Sequence, residues 1–437
     1  MVPAAISGKR APSPWSMSGF GRCSRLSQSE PDILLLWTID ESSAPSASEI
    51  LSVNTPESIS PPESAEQESL QSQYLVLLGR RGTKWTSERA FLRKLGTGGQ
   101  GCVMLAERRG AAAFRIPVAL KFFSPAAFDN ANLYSREMQR MAEVASLVAR
   151  IQEDNLVTVH SFQLEEGIYM MEMEWVDGVD LLHLLQRGSL EQLQQTVDAE
   201  RWVQMNQQVV TAGALNCRMR PGMAVAILRE CLQGITALHR GGIMHCDLKP
   251  SNVMVKRNGQ VKIIDIGSAF WVGRPPEGQP CTLEYAAPEV LTGYRATPQS
   301  DLASLGYMLI EMLSGSRPFA GLSFDQLVQT KMNILDRLPR MVPLDEFQHS
   351  EPLIRLLRGL VHPDPKSRFA SADAANMSDE GAAEFLRNLV KSDLSAEYND
   401  ELRRWIEELE MSVEVQRPAA EEAVVPNGTT RIIPLAR

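Results

Sequence analysis

Apolar positions along the chain change their period twice. Up to about residue 73 they are sparse among Ser, Pro and Glu, as in SSAPSASEI and NTPESISPPESAEQES. Such a composition buries too little apolar surface to offset chain entropy, so residues 1–73 are expected to be disordered, with ILLLW (Ile33 to Trp37) as a short apolar run inside them. From Tyr74 the runs YLVLL, AFLRKL, CVMLAERR and PVALKFF, divided by Gly-rich or Pro-containing turns, predict strands. NLYSREMQRMAEVASLVARI then takes helical period, with Leu133, Met138, Met141, Val144, Leu147 and Val148 on one face. LVTVHSFQ and IYMMEMEWV return to strand character. After Trp175 the pattern is largely helical, in DLLHLLQ, in Val197 to Val210 and in AVAILRECLQGITALH. Strands followed by helices predict an α+β architecture of two unequal lobes, about 74–176 and 177–377. Beyond Met377, GAAEFLRNLVK and NDELRRWIEELEMSVEV predict an acidic, amphipathic helical tail over 378–437 whose end, from about Gln416, is loose.

Composition narrows the picture a little. The chain has 437 residues, 44% of them hydrophobic, enough for a sizeable core. A net charge of −9 argues against nucleic acid or an anionic membrane surface as the main partner. No apolar run approaches the roughly 20 residues that span a bilayer. ILLLW is too short for a secretory core segment, and Lys9 and Arg10 lie too far upstream of it. The six cysteines are scattered without metal-like or framework spacing, which fits a reducing compartment, so a cytoplasmic protein is expected.

The chemistry begins at LGTGGQGCV, where Gly96, Gly98 and Gly101 form GxGxxG. Alone the pattern is weak, because it also marks dinucleotide-binding turns that feed a helix. Here the alternation of CVMLAERR makes the following element a strand, and a glycine loop between two strands lets backbone N–H groups approach phosphates unobstructed. Lys121, in VALK, lies 20 residues past Gly101 and can reach the α/β-phosphates from an adjacent strand. On its own such a lysine is a solvated charge. A helix carboxylate that orients it changes that reading, and Glu137 is the candidate, with Glu143 as the alternative.

The decisive segment is HCDLKPSN, His245 to Asn252, followed 18 residues after Asp247 by the DIG of Asp265. It resembles the catalytic loop HRDLKPxN of eukaryotic-type serine/threonine protein kinases. The resemblance runs from about Ala90 to Met377 and implies a bilobal protein-kinase-like fold: a small antiparallel β-sheet lobe with one main helix, and a larger, mostly helical lobe. It implies that Asp247 accepts the substrate hydroxyl's proton, Lys249 contacts the transferring phosphate, and Asn252 and Asp265 hold Mg²⁺. ATP would lie among Gly96, Gly98, Gly101, Val103, Ala119 and Lys121. Backbone groups of Glu174 and Val176, in the hinge-like MEWVDGVDL, would meet adenine beside Met173, and Asp180 the ribose. Loose phosphoryl-transfer transition states need positioning and charge neutralisation, which hard oxygen ligands and a carboxylate supply. Thr282 would link Asp247 and Lys249. Ala287–Pro288–Glu289 closes the activation segment, Asp301 in SDLASLG supports the catalytic loop, and Arg368 pairs with Glu289 in a structural ion pair. The implied partners are ATP and proteins bearing Ser or Thr.

Departures from the family pattern carry their own expectations. Cys246 stands where the family has the HRD arginine, which in many kinases binds an activation-loop phosphate, and the segment Gly267 to Tyr285 is short with few hydroxyls. Activity without activation-loop phosphorylation is therefore expected. Ile266 replaces Phe, Cys281 replaces Gly and Ala303 stands where Trp is common, so local packing must differ. Residues 186–221 exceed what the family needs between its first two large-lobe helices and predict extra helix plus loop. Cys102, Cys246 and Cys281 map near the site, where small apolar filling outweighs redox sensing. His239 and His245 are not expected to bind metal. Two rival readings remain: a nucleotide-binding pseudokinase or scaffold, which the complete residue set opposes, and a small-molecule phosphotransferase, which lacks the Glu289–Arg368 closure.

Overall fold

A computed structural model describes residues 63–80, 82–83, 88–342, 350–390, 398–415 and 430–434, all within the unit Ser60–Arg437. The expectations for residues 1–62, ILLLW among them, lie outside the described residues. The small lobe is a six-stranded antiparallel sheet: β1 (Gly82–Thr83), β2 (Glu88–Gly98), β3 (Gly101–Arg109), β4 (Arg115–Phe123), β5 (Val159–Glu165) and β6 (Ile168–Glu174), in the order β1-β2-β3-β4-β6-β5. One helix, α2 (Ala131–Val148), crosses it, capped by Asn130, whose side chain accepts the Leu133 N–H. Its buried face is Tyr134, Met138, Arg140, Met141, Val144, Ala145 and Val148. Leu133 and Leu147 from the expected face are half-buried.

The first correction concerns the region ahead of this sheet. YLVLL, expected as a strand, is the last turn of a helix, α1 (Glu63–Leu78), which also takes in residues 63–73, expected to be disordered. The segment ESAEQESLQSQYLVLL holds a single β-branched residue among good helix formers, and a short apolar run alone does not separate strand from helix. Leu77 is fully buried in a cluster with Leu120, Phe122, Ile168 and Met170 on the sheet. The Gln67 amide donates to the Pro125 carbonyl at 2.6 Å, so α1 is fixed at both ends.

The large lobe is built on the helices Pro221–Arg240 and Pro298–Ser314, whose apolar residues are almost all buried. The loop His245–Asn252 runs into the hairpin Val253–Lys256/Val261–Ile263, whose first strand also pairs with Gly178–Asp180. Residues 186–221 form two helices, Arg187–Thr196 and Ala199–Gln208, and a small hairpin, Val210–Ala212 with Cys217–Met219.

The tail is helical over Ala382–Val390 and Tyr398–Val415, as its pattern predicts. The second of these helices packs on Arg187–Thr196 and Pro221–Arg240, burying Leu402, Trp405 and Ile406. Arg201 clasps it, bonding Glu401 and Glu408 at 2.7 Å each. The end expected to be loose carries a strand, Thr430–Pro434, antiparallel to Gly278–Thr282. Three of its five residues, Thr430, Ile432 and Ile433, are β-branched, which suits a strand once a free edge is there to pair with.

Candidate active site

The cleft between the lobes is built from local geometry that each segment's sequence supplies. β2 and β3 meet in the glycine loop, which needs Gly101 for a reason of its own. At φ +144 a side chain is strained, and a Cβ there would stand 1.8 Å from the Phe122 carbonyl oxygen of β4. Gly96 and Gly98 are open, with nothing within 4 Å of where a Cβ would stand. β4 carries Lys121 opposite Val103 of β3, and Ala119 opposite Met173 at the end of β6. Lys121 is 4% exposed, and its Nζ donates to both oxygens of Asp265, at 2.7 and 2.8 Å, and to Gln100 Oε1 at 2.8 Å. The Gly267 N–H gives Asp265 a third hydrogen bond, at 2.7 Å. Burial alone would raise the Asp265 carboxyl; Lys121 and the Gly267 amide overcome it and hold it down at about 2.

Glu137 is not part of this contact. Its Oε2 accepts from Arg140 Nε at 2.8 Å, one turn along α2, while Arg140 also donates to the Ala269 carbonyl at 2.9 Å. An arginine at i+3 is the nearer cation for Glu137, and Asp265 is the carboxylate within reach of Lys121. The alternative, Glu143, pairs with Arg274. The sequence reading missed Gln100 and Arg140. Gln100 sits between Gly99 and Gly101 and joins the loop to Lys121 and to Ser268, whose hydroxyl it bonds at 2.8 Å. Its place inside a run of glycines was the signal available.

On the large-lobe side four polar side chains form one network. Asp247 accepts from the Thr282 hydroxyl at 2.6 Å, from Lys249 Nζ at 2.8 Å and from Asn252 Nδ2 at 3.2 Å. Lys249 also donates to Thr282 Oγ1 at 3.0 Å, and Asn252 to the Asp247 carbonyl at 2.7 Å. All four are buried, so each bond acts at low dielectric. Cys246, beside them, has φ +68, a left-handed conformation that costs a non-glycine residue about 1–2 kcal/mol. Asp301, 1% exposed, offsets that cost: its carboxylate accepts the N–H groups of His245 and Cys246, at 2.9 Å each, with His239 Nε2 also 2.9 Å away. Burial would raise the Asp301 carboxyl, but His239, His245 and these amides lower it. Burial lowers the His245 imidazole and pushes the thiols of Cys246 and Cys281 up, the latter to about 12, so neither thiol is a ready thiolate.

The segment running to Glu289 is anchored at two further points. Glu289 and Arg368 form a bidentate pair, both bonds 2.7 Å, with Arg368 also donating to the carbonyls of His362 and Gln299. Lys331, fully buried, donates to the carbonyls of Leu283, Glu284 and Ala286 at 3.0, 2.9 and 2.5 Å and lies over the ring of Tyr307. At the hinge, the Glu174 side chain turns away to Lys262 Nζ at 2.6 Å and the Thr158 N–H at 2.7 Å. Val176 is buried, and Asp180 caps the short helix Leu181–Leu184 and pairs with His183. Among the described residues no three His, Cys, Asp or Glu side chains converge as a metal site, and no helix is long and apolar enough to cross a membrane.

An ammonium on a small-lobe strand facing a carboxylate–amide–lysine network under a glycine hairpin is the architecture of a phosphotransferase cleft. Residues 89–378 match the protein kinase domain family, and the chain belongs to that family, in its eukaryotic-type serine/threonine branch. It is similar to the serine/threonine-protein kinase PknD of Mycobacterium tuberculosis, 30% identical over 64% of this chain and 38% of that one. It is also similar to the serine/threonine-protein kinase PknE of Mycobacterium bovis, 31% identical over 60% of this chain and 40% of that one. The serine/threonine-protein kinase PrkC of Bacillus subtilis is 28% identical over 56% of this chain and 33% of the relative. The chain thus spans two fifths or less of the length of these relatives.

Proposed function

We propose that this chain is a protein kinase that transfers the γ-phosphate of ATP to Ser or Thr hydroxyls of proteins, and that it does so without phosphorylation of its activation segment. The observation that carries the reading is the Lys121–Asp265 contact at 2.7 Å, opposite the network of Asp247, Lys249, Asn252 and Thr282. It sets a buried ammonium and a carboxylate across one cleft, which supports a role in holding phosphates. Relatives named as serine/threonine-protein kinases support the same class.

In this reading the glycine hairpin and Lys121 hold the phosphates, while backbone groups of Glu174 and Val176 take the adenine edge and Asp180 the ribose. Asp247 aligns the incoming hydroxyl and receives its proton at a carboxylate oxygen. Lys249 stabilises charge on the transferring group. The donor set fits Mg²⁺: Asp265 offers carboxylate oxygens, and Asn252, its Nδ2 spent on Asp247, offers Oδ1. Two protein oxygens suit an ion that keeps waters and substrate phosphates for its other positions. When bound, the ion would neutralise charge on the phosphate oxygens.

Independence from phosphorylation is supported by what already holds the segment. Thr282 is bonded to Asp247 and Lys249, Lys331 gathers three carbonyls, Arg140 takes the Ala269 carbonyl, and Cys246 offers no cation for a phosphate. Radiolabelled ATP with a generic protein substrate tests both claims. Asp247→Ala and Asp265→Ala should each lose about 10²-fold or more in turnover, and equal signals from wild type and Asp247→Ala would remove the enzymatic claim. Phosphatase-treated protein should keep its rate. An inert dephosphorylated form, restored by phosphate on Ser268 or Thr282, refutes the second claim.

A further inference from the structure

The strand Gly278–Thr282 ends at the residue that bonds Asp247, and its partner is the chain's own C-terminal strand, Thr430–Pro434. The register runs from Thr282 opposite Thr430, through Cys281–Arg431, Pro280–Ile432 and Gln279–Ile433, to Gly278 opposite Pro434. Both prolines fall on the same alternate set of pairs. Proline donates no N–H, so the pairs that exchange N–H···O bonds are the other set, Gln279–Ile433 and Cys281–Arg431. The ribbon therefore wastes neither proline. The side chains of Gln279 and Cys281 are buried in the large lobe, with the Gln279 Oε1 accepting the Ala296 N–H at 2.9 Å. That leaves the backbone edge of this strand as its outward offering.

Facing pairs of the non-bonded class bring Cα atoms to about 4.5 Å. The tail backbone at Thr430 accordingly stands one strand spacing from Thr282, beside the carboxylate that a substrate hydroxyl must reach. An unpaired strand edge is a template for an extended peptide, and one edge accepts one strand.

We propose that Thr430–Pro434 is a tethered occupant of the edge on which an extended protein substrate docks, so that the C-terminal segment competes in cis with substrates. The inference rests on the proposed kinase function and names the control of that same site. A two-stranded ribbon alone is marginal in water, which makes the tail displaceable rather than a permanent plug. Fourteen residues, 416–429, join it to the helix that ends at Val415. A short tether gives an effective concentration of about 1 mM; against a Kd of about 0.1 mM for the free peptide, substrate KM rises about tenfold.

The test compares the full chain, full-length Ile433→Pro, and a chain ending at Pro426. Ile433→Pro removes one of the ladder donors without touching the catalytic network. Hydrogen exchange at the Gln279 and Cys281 amides should be at least tenfold faster in both altered forms. A fluorescein-labelled peptide of residues 427–437 should bind the shortened chain and restore that protection, and bind the full chain about tenfold more weakly. With casein as substrate, both altered forms should show a KM about tenfold lower at unchanged kcat, and the peptide should compete with casein but not with ATP. Unchanged exchange, equal peptide binding to full and shortened chains, or an unchanged KM each overturns the inference. Should no form transfer phosphate, the kinase reading fails by itself, and the exchange and binding arms still decide for or against the tail on this edge.

Discussion

Replacing Asp301 by asparagine isolates what holds the catalytic loop. The carboxylate places Oδ1 on the Cys246 N–H and Oδ2 on the His245 N–H, each at 2.9 Å, in a site 1% exposed. Asparagine keeps one accepting oxygen and turns an NH₂ toward the other amide, donor against donor. Losing one charge-assisted bond costs about 1.5–3 kcal/mol, and the N–H left without an acceptor costs about 1–3 kcal/mol more. The total, roughly 2.5–6 kcal/mol, brackets the about 3–5 kcal/mol usual for breaking a buried charged contact. Cys246 at φ +68 relaxes part of that loss by leaving its left-handed conformation, and in doing so moves Asp247. The expected outcome for Asp301→Asn is an unfolding free energy lowered by that amount, and a large fall in kcat with little change in KM for ATP. The split follows from where the parts sit, since the glycine loop and Lys121 belong to the small lobe. Urea titration followed by tryptophan fluorescence, with steady-state phosphate transfer well below the unfolding range, reads both. A loss under about 1 kcal/mol with kcat intact would falsify the claim that Asp301 sets the loop.

Two further perturbations probe buried charge elsewhere. Burial pushes the Glu311 carboxyl up to about 7, against the pull of the Tyr285 hydroxyl and Arg317. A carboxyl raised in the folded state contributes fully below its unfolded value near 4.5 and loses that contribution as pH rises through about 7. Glu311→Gln should therefore gain stability relative to wild type between pH 5 and pH 8, on the order of 3 kcal/mol, and parallel urea curves at the two pH values would contradict it. Arg140→Met releases Glu137 from its 2.8 Å contact, leaving it able to turn to Lys121. A partly exposed pair is worth about 1 kcal/mol, so KM for ATP should fall about fivefold, read apart from any loss of kcat caused by freeing the Ala269 carbonyl; an unchanged or higher KM means Glu137 does not reach the lysine.

What was legible in the sequence was whatever depends on close spacing. HCDLKPSN and DIG put Asp247, Lys249, Asn252 and Asp265 on a short loop and the turn after the next hairpin, and the structure brings Lys121 to Asp265 across the cleft. The strands of the sheet, α2 and the Glu289–Arg368 pair could be read for the same reason, since alternation, helical period and motif residues each leave a mark. YLVLL shows the limit. Five apolar residues have no period, and the packing of Leu77 on the sheet decided for helix. Glu137 shows another limit: two cations compete for it, and sequence does not rank Arg140 above Lys121. The pairing of Thr430–Pro434 with Gly278–Thr282 joins segments about 150 residues apart, a non-local choice that no local pattern announces.

The clasp of Arg201 on Glu401 and Glu408 bears on how the chain can be cut. The family match stops at residue 378, yet Leu402, Trp405 and Ile406 on the helix Tyr398–Val415 are interior residues of the large lobe. A fragment trimmed to the matched domain would lay bare the helices Arg187–Thr196 and Ala199–Gln208 along with the surface that receives Trp405. One tryptophan alone covers on the order of 200 Å². A stable fragment should thus extend past the family match, because the segment 186–221 and the tail helix cover one another.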